Sequence, residues 1–337
     1  MLKGKQTWWF ENKPVIIGAA TVVGPEEGEG PLASDFDLVH QELDMQQKSW
    51  EKAERLLMEQ AAQFALQNAG IDKNRLEFYV GGDLLNQIIS SSFAARSIGA
   101  PYLGLFGACS TSMESLAIAS LTVDSRSANY ALAGVCSHNC TAEKQFRYPT
   151  EYGSQKPPTA QYTVTGAGAA VVAATGSGPV VECATIGKVV DLGISDPFNM
   201  GAAMAPAAVD TLTAHFNDTG RTPSDYDLIV TGDLASVGHK IAKDLLLRDG
   251  VKIDDTVFND CGLMVYDVNK QKVQAGGSGC ACSAVVTYGH LLKKLKKGEL
   301  NRILVCATGA LLSPLSYQQG ESIPCIAHAV AISGKGD

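Results

Sequence analysis

A chain of 337 residues that is 45% hydrophobic and only 18% charged has the apolar content for a large buried core, which excludes a disordered or fibrous protein. Its net charge of -8 gives no general attraction for nucleic acid, and the densest basic run, Lys293, Lys294, Lys296 and Lys297, falls at the end of a predicted helix, where cations complement the dipole. The start, Met1-Leu2-Lys3-Gly4-Lys5-Gln6, lacks the apolar core of a signal peptide, no run reaches the ~18 apolar residues of a spanning helix, and the nine cysteines read as reduced thiols of a cytosolic protein.

From the N-terminus, Trp8-Trp9-Phe10 reads as the aromatic start of an edge strand that runs on through Val15-Ile16-Ile17. Residues 50–69 follow with Ala53, Leu56, Leu57, Ala61, Phe64 and Ala65 at helical spacing, and Gly70 is placed to cap that helix. Phe78-Tyr79-Val80-Gly81-Gly82-Asp83-Leu84 is a buried strand leading into a loop, and it recurs as Leu228-Ile229-Val230-Thr231-Gly232-Asp233-Leu234. Gly107-Ala108-Cys109-Ser110, a small-residue turn feeding an apolar helix, is echoed by Gly279-Cys280-Ala281-Cys282-Ser283. The strand ending at Cys136 is echoed by the one through Cys306; Cys109 to Cys136 spans 27 positions and Cys280 to Cys306 spans 26. Three matched elements in one order indicate a duplication, with halves at 1–178 and 179–337. Between them, 148–178 bears Pro and Gly and holds the strand-like Ala169-Ala170-Val171-Val172-Ala173; a last helix over 283–297 stops at Gly298. Alternating strands and helices predict an α/β fold of mostly parallel sheets covered by helices on both faces.

Two α/β halves, the Cys109 elbow and a Gly-rich turn in the second half resemble the thiolase and ketoacyl synthase superfamily, roughly from Val15 to Ile332. The resemblance implies duplicated halves with five-stranded sheets layered αβαβα, and a homodimer. More narrowly, the blocks at 105–115, 145–153 and 323–328 resemble a sporulation branch of that superfamily found in spore-forming bacteria. That branch is associated with loading dipicolinic acid into the developing spore. It implies dipicolinic acid or its calcium chelate as ligand, integral-membrane proteins of the same transport complex as partners, and a place at the forespore inner membrane. No cofactor and no nucleic acid are expected.

The first candidate site residue is Cys109: at a helix start, unpaired amides and the dipole favour a thiolate, and in the superfamily's enzymes this sulfur is acylated. Condensation also needs donors for an oxyanion and a proton shuttle, which the family draws from His and Asn of the second half. Here those positions read Thr231-Gly232-Asp233 and Gly277-Ser278-Gly279-Cys280, so Asp233 and Cys280 stand in the site without being comparable donors. Cys325-Ile326-Ala327-His328 keeps the first two positions of the thiolase Cys-Ile-Gly-Gly-Gly turn, so that Cys325 could approach Cys109 with His328 standing in for the missing histidine; a satisfied core histidine is the alternative. His138 and Asn139 follow the strand that ends near Cys109 in the family's fold. The nearby Cys136 and Cys140 do not make a zinc pattern. Lys144, Arg147 and Lys156 lie amid Phe146, Tyr148 and Tyr152, and an Arg147 fork between aromatic walls suits a planar dicarboxylate. The expected function is therefore dipicolinate binding without condensing activity, with no catalytic residue assigned and no metal site. An acyl-CoA or acyl-carrier ketosynthase or thiolase-type acyltransferase using Cys109 is the alternative.

Overall fold

The computed structural model describes residues 1–146 and 155–334. Five strands build the first sheet: β1 (Val15–Val23), β2 (Phe78–Gly82), β3 (Tyr102–Gly104), β4 (Tyr130–Ser137) and β5 (Gly166–Ala173). Five more build the second: β6 (Val180–Ile186), β7 (Leu228–Thr231), β8 (Phe258–Asp260), β9 (Arg302–Ala310) and β10 (Cys325–Ser333). The hydrogen-bonded order is β8-β7-β9-β10-β6-β1-β5-β4-β2-β3, so the second five strands repeat the order of the first in mirror image. In each half β5 or β10 runs against its neighbours and the other four strands point one way. β1 and β6 meet through a single register pair, Val15 with Val180.

Among the described residues, seven helices longer than five residues complete the layers: α1 (Trp50–Ala69), α2 (Ile89–Ile98), α3 (Thr111–Asp124), α4 (Asn139–Gln145), α5 (Met200–Thr219), α6 (Ala235–Arg248) and α7, which runs from Cys280–Val285 through a π-helical Val286–Leu291 to Leu292–Lys297. α1 and α2 pack outside the first sheet around Leu57, Met58 and Tyr79, and α5 and α6 outside the second around Met204, Leu212 and Ile229. Between the sheets lie α3 and α7, whose Met113, Leu116, Val285 and Leu291 share one core cluster with inward side chains of both sheets. α3 is buried on nearly all sides, and five of its 14 residues are Ser or Thr, whose small hydroxyls can be bonded within the helix or across to its neighbour. Ser112 and Ser283 touch hydroxyl to hydroxyl at 2.6 Å where α3 meets α7.

The α1 boundaries agree with the sequence reading, with Ser49 capping its start and Gly70 in the left-handed conformation at its end. The N-terminal strand does not. Thr7–Trp9 is a separate strand paired with β6, the chain turns away at residues 10–14, and β1 starts afresh on the other sheet. The last helix starts at Cys280, three residues before its expected start.

Candidate functional site

The strand ends of β2 and β7 carry the two repeated aspartates, and the structure gives them different work. Asp83 is turned to the start of α2, where its carboxylate accepts from the amides of Leu85 (2.8 Å) and Ser91 (2.7 Å). In the second half the equivalent capping of α6 falls to Asp260 at the end of β8, which accepts from Leu234 and Ala235 N–H and from Thr231 Oγ1. Asp233 is thereby left to face the first half. Its Oδ1 accepts from Thr308 Oγ1 at 2.6 Å, and its Oδ2 from Ser278 Oγ at 3.1 Å and Gly279 N–H at 3.0 Å.

Cys109 enters this cluster from the other sheet. Ala108 before it has φ of 49°, a left-handed residue that turns the chain sharply into α3. Close backbone approach fixes the elbow: a Cβ on Gly309 of β9 would lie 2.2 Å from the Gly107 carbonyl oxygen. Cys109 Sγ lies 4.0 Å from Ser278 Oγ, the hydroxyl that donates to Asp233. The expectation of a thiolate is overturned. Burial pushes the Cys109 thiol well above its ordinary range, the Asp233 carboxylate adds to this, and the Gly279 amide only partly opposes it. Cys109 also precedes the first turn of α3 by two residues, so the helix dipole acts on it less directly. Burial raises Asp233 as well, against the hydrogen bonds from Thr308, Gly279 and Ser278.

Above Cys109 opens a cleft of about 110 Å³. Phe106, Phe146 and Phe198 wall it, Ser278 and Gln161 stand at its base, and Glu143 and Lys156 form an ion pair at its side. Gln161 donates its side-chain amide to the Asp233 carbonyl, tying the cleft to the aspartate turn. Residues 162–163 and 277–278 pair as a short parallel ribbon that joins the halves beside the cleft.

Of the residues singled out from sequence, the structure brings Cys109 and Asp233 together. Cys280 is the first residue of α7, and its thiol donates to the Cys136 carbonyl at 2.9 Å; Ser278, two residues earlier, is the one that meets Cys109. Cys325 lies in the core of the second half, with its thiol turned to the Ile323 carbonyl. His328 is a buried strand residue whose Nδ1 accepts from Gly187 N–H at 3.2 Å, and burial pulls its pKa down to about 4. His138 caps α4: its Nδ1 accepts from Cys140 N–H at 3.0 Å and its Nε2 donates to the Leu43 carbonyl at 2.9 Å, which fixes one neutral tautomer. Its pKa is lowered, chiefly by burial. Asn139 begins α4, and its backbone amide donates to Thr165 Oγ1. Arg147 lies outside the described residues. Sequence reasoning missed Ser278, Thr308, Gln161, Glu143 and Phe198. Ser278 stands in the flagged Gly-rich turn, and Thr308 two positions after the repeated Cys306, whereas Phe198 carries no local signal. Among the described residues, no cluster of three or more His, Cys, Asp or Glu is placed to hold a metal ion, and no helix is long and apolar enough to cross a membrane.

Two sheets around paired central helices, with a cysteine elbow facing a loop of the second half, define a thiolase-like protein. Solved structures agree on the fold: a variant of OleA from Xanthomonas campestris (TM-score 0.61, 17% identity, covering 96% of this chain and 99% of that one) and 3-oxoacyl-(acyl-carrier-protein) synthase III from Aquifex aeolicus VF5 (TM-score 0.58, 14% identity, 95% and 99%). The chain belongs to the stage V sporulation protein AD family, whose model matches residues 4–333. The stage V sporulation protein AD of Bacillus subtilis (strain 168) is 55% identical over 335 residues, which is 99% of this chain and 98% of that protein.

Proposed function

We propose that this chain binds dipicolinic acid, free or as its calcium chelate, and serves its uptake into the developing spore without catalysing condensation. The observation that carries this reading is the cleft over Cys109. Its three phenylalanines suit a flat ring, its Lys156 offers a cation to a carboxylate, and behind its thiol and Ser278 stands the acceptor Asp233 where a condensing enzyme needs donors. Arg147 is the further candidate for the second carboxylate. Because no described helix can span a membrane, uptake requires integral-membrane partners. A homodimer is supported by the outer sheet edge, where β3 has one neighbour and Leu103 and Phe106 are 40% and 51% exposed.

Calorimetry tests the ligand. Dipicolinate and its calcium complex should each bind saturably, and benzoate, with one carboxylate and no ring nitrogen, much more weakly. Arg147→Ala should weaken binding by about 1.5–3 kcal/mol if it makes a charged hydrogen bond. Absence of saturable binding by folded protein overturns the reading. The ketosynthase alternative is favoured by the strained Ala108 elbow. It predicts turnover of acetyl-CoA or acetoacetyl-CoA that disappears in Cys109→Ala; the binding reading predicts none.

A further inference from the structure

Behind α4 lies a second cleft of about 600 Å³, between the start of α1 and the start of α2. The short helix divides the two spaces: Ala142, Glu143 and Phe146 face the cleft at Cys109, whereas Thr141, Lys144 and Gln145 face this one. In a chain of net charge -8, its rim carries three cations, Lys52, Arg55 and Lys144, against one carboxylate, Glu51. Lys144 pairs with Glu51 at 2.5 Å, and Arg55 lies 3.4 Å from Glu59. Lys52 makes no ion pair among the described residues, and it sits in the first turn of α1, where the helix dipole disfavours a cation. An anion between these groups would remove that conflict.

A second observation is independent of charge. Ser90, in the first turn of α2, is 1% exposed and lines the cleft, and its hydroxyl has no hydrogen-bond partner. A buried hydroxyl without a partner is destabilising, and an alanine would avoid that cost. The remaining wall is apolar: Ile89 and Phe93, one turn apart on α2, are 40% and 44% exposed.

We infer that this cleft is a second ligand site, for a small amphipathic anion whose phosphate or carboxylate head sits among Lys52, Arg55 and Lys144 and accepts from Ser90, with its apolar body against Ile89 and Phe93. The site goes beyond the dipicolinate reading and stands or falls separately from it. Octyl phosphate is a suitable calorimetric probe, with inorganic phosphate and octanol as controls that each lack one half of the recognition. Saturable binding of octyl phosphate is expected, at least tenfold tighter than either control. It should weaken at least tenfold in Lys52→Gln/Lys144→Gln and severalfold in Ser90→Val, with circular dichroism verifying the fold. Cys109→Phe, which fills the other cleft, should leave probe binding within twofold. The inference is overturned if folded wild-type protein shows no saturable binding, if the lysine variant binds equally well, or if Cys109→Phe abolishes binding. Binding to phosphatidylglycerol vesicles but not to octyl phosphate would overturn it in favour of a bilayer contact.

Discussion

Thr308→Val removes one hydroxyl from the Asp233 cluster and leaves the shape of the side chain nearly unchanged. Thr308 Oγ1 is the shortest donor to that carboxylate, at 2.6 Å, and both residues are buried where no water replaces it. A hydrogen bond to a charged acceptor contributes about 1.5–3 kcal/mol. The methyl group that takes its place recovers roughly 0.8 kcal/mol through apolar burial. The net loss is then about 1–2 kcal/mol, a drop of roughly half a molar in the urea midpoint for a slope near 3 kcal/mol/M. Thr287→Val is the matched control, because Thr287 is equally buried and its hydroxyl has no partner, so the same change there should be neutral or slightly stabilising. The pH dependence has a definite sign. Thr308 lowers the Asp233 pKa, so the variant raises it further, and stability is lost as pH climbs through a raised folded-state value. The deficit of Thr308→Val should therefore be largest at high pH and shrink as Asp233 takes up its proton. Equal midpoints for the two valine variants, or a deficit that grows on acidification, would refute the reasoning.

Three further outcomes are expected. Glu27 is fully buried, with its Oε2 unpartnered, and burial raises its pKa from 4.5 to about 7. The stability tied to its proton is present below pH 4.5 and lost as pH rises through about 7. Glu27→Gln should flatten the stability curve across that window by about 3 kcal/mol, at ~1.4 kcal/mol per pKa unit, as read from urea unfolding at several pH values. Iodoacetamide at neutral pH followed by peptide mass mapping should label Cys140 first, since it alone among the nine free cysteines is not buried, and Cys109 only slowly. Gly309→Ala drives a Cβ to 2.2 Å from the Gly107 carbonyl and should cost about 1–3 kcal/mol, visible as a lowered melting temperature.

The duplicated architecture was legible because it rests on local signals: apolar runs ending in Gly-Asp-Leu, helical spacing with Gly70 at the stop, and near-equal cysteine spacings. Placing a residue at a helix start is also local, and it located Cys109. Its protonation was not legible, because that depends on burial and on Asp233, 124 positions away in the chain. The same limit explains His138 and His328. Sequence proximity to the site drew attention to both, yet their ring nitrogens are engaged: His138 by the nearby Cys140 amide and by the Leu43 carbonyl, His328 by the Gly187 amide, and the last two are partners that only the folded chain brings together. The partner of Cys109 was equally out of reach: the fold sets Ser278, two positions before the flagged Cys280, against it, while the Cys280 thiol turns to the Cys136 carbonyl.

The contact of Ser112 with Ser283 has a historical implication. If the ancestor was a single half-length chain, those hydroxyls descend from one residue touching its own copy across a twofold axis, and the ancestral unit was already a symmetric pair. Symmetry would have bound each aspartate after the second strand to the same duty in both copies. Fusion released that bond: Asp83 kept the helix cap, Asp260 took over the cap in the other half, and Asp233 became free to turn toward Cys109. The asymmetry that makes a single off-axis site was thus available only after two genes' worth of chain had become one.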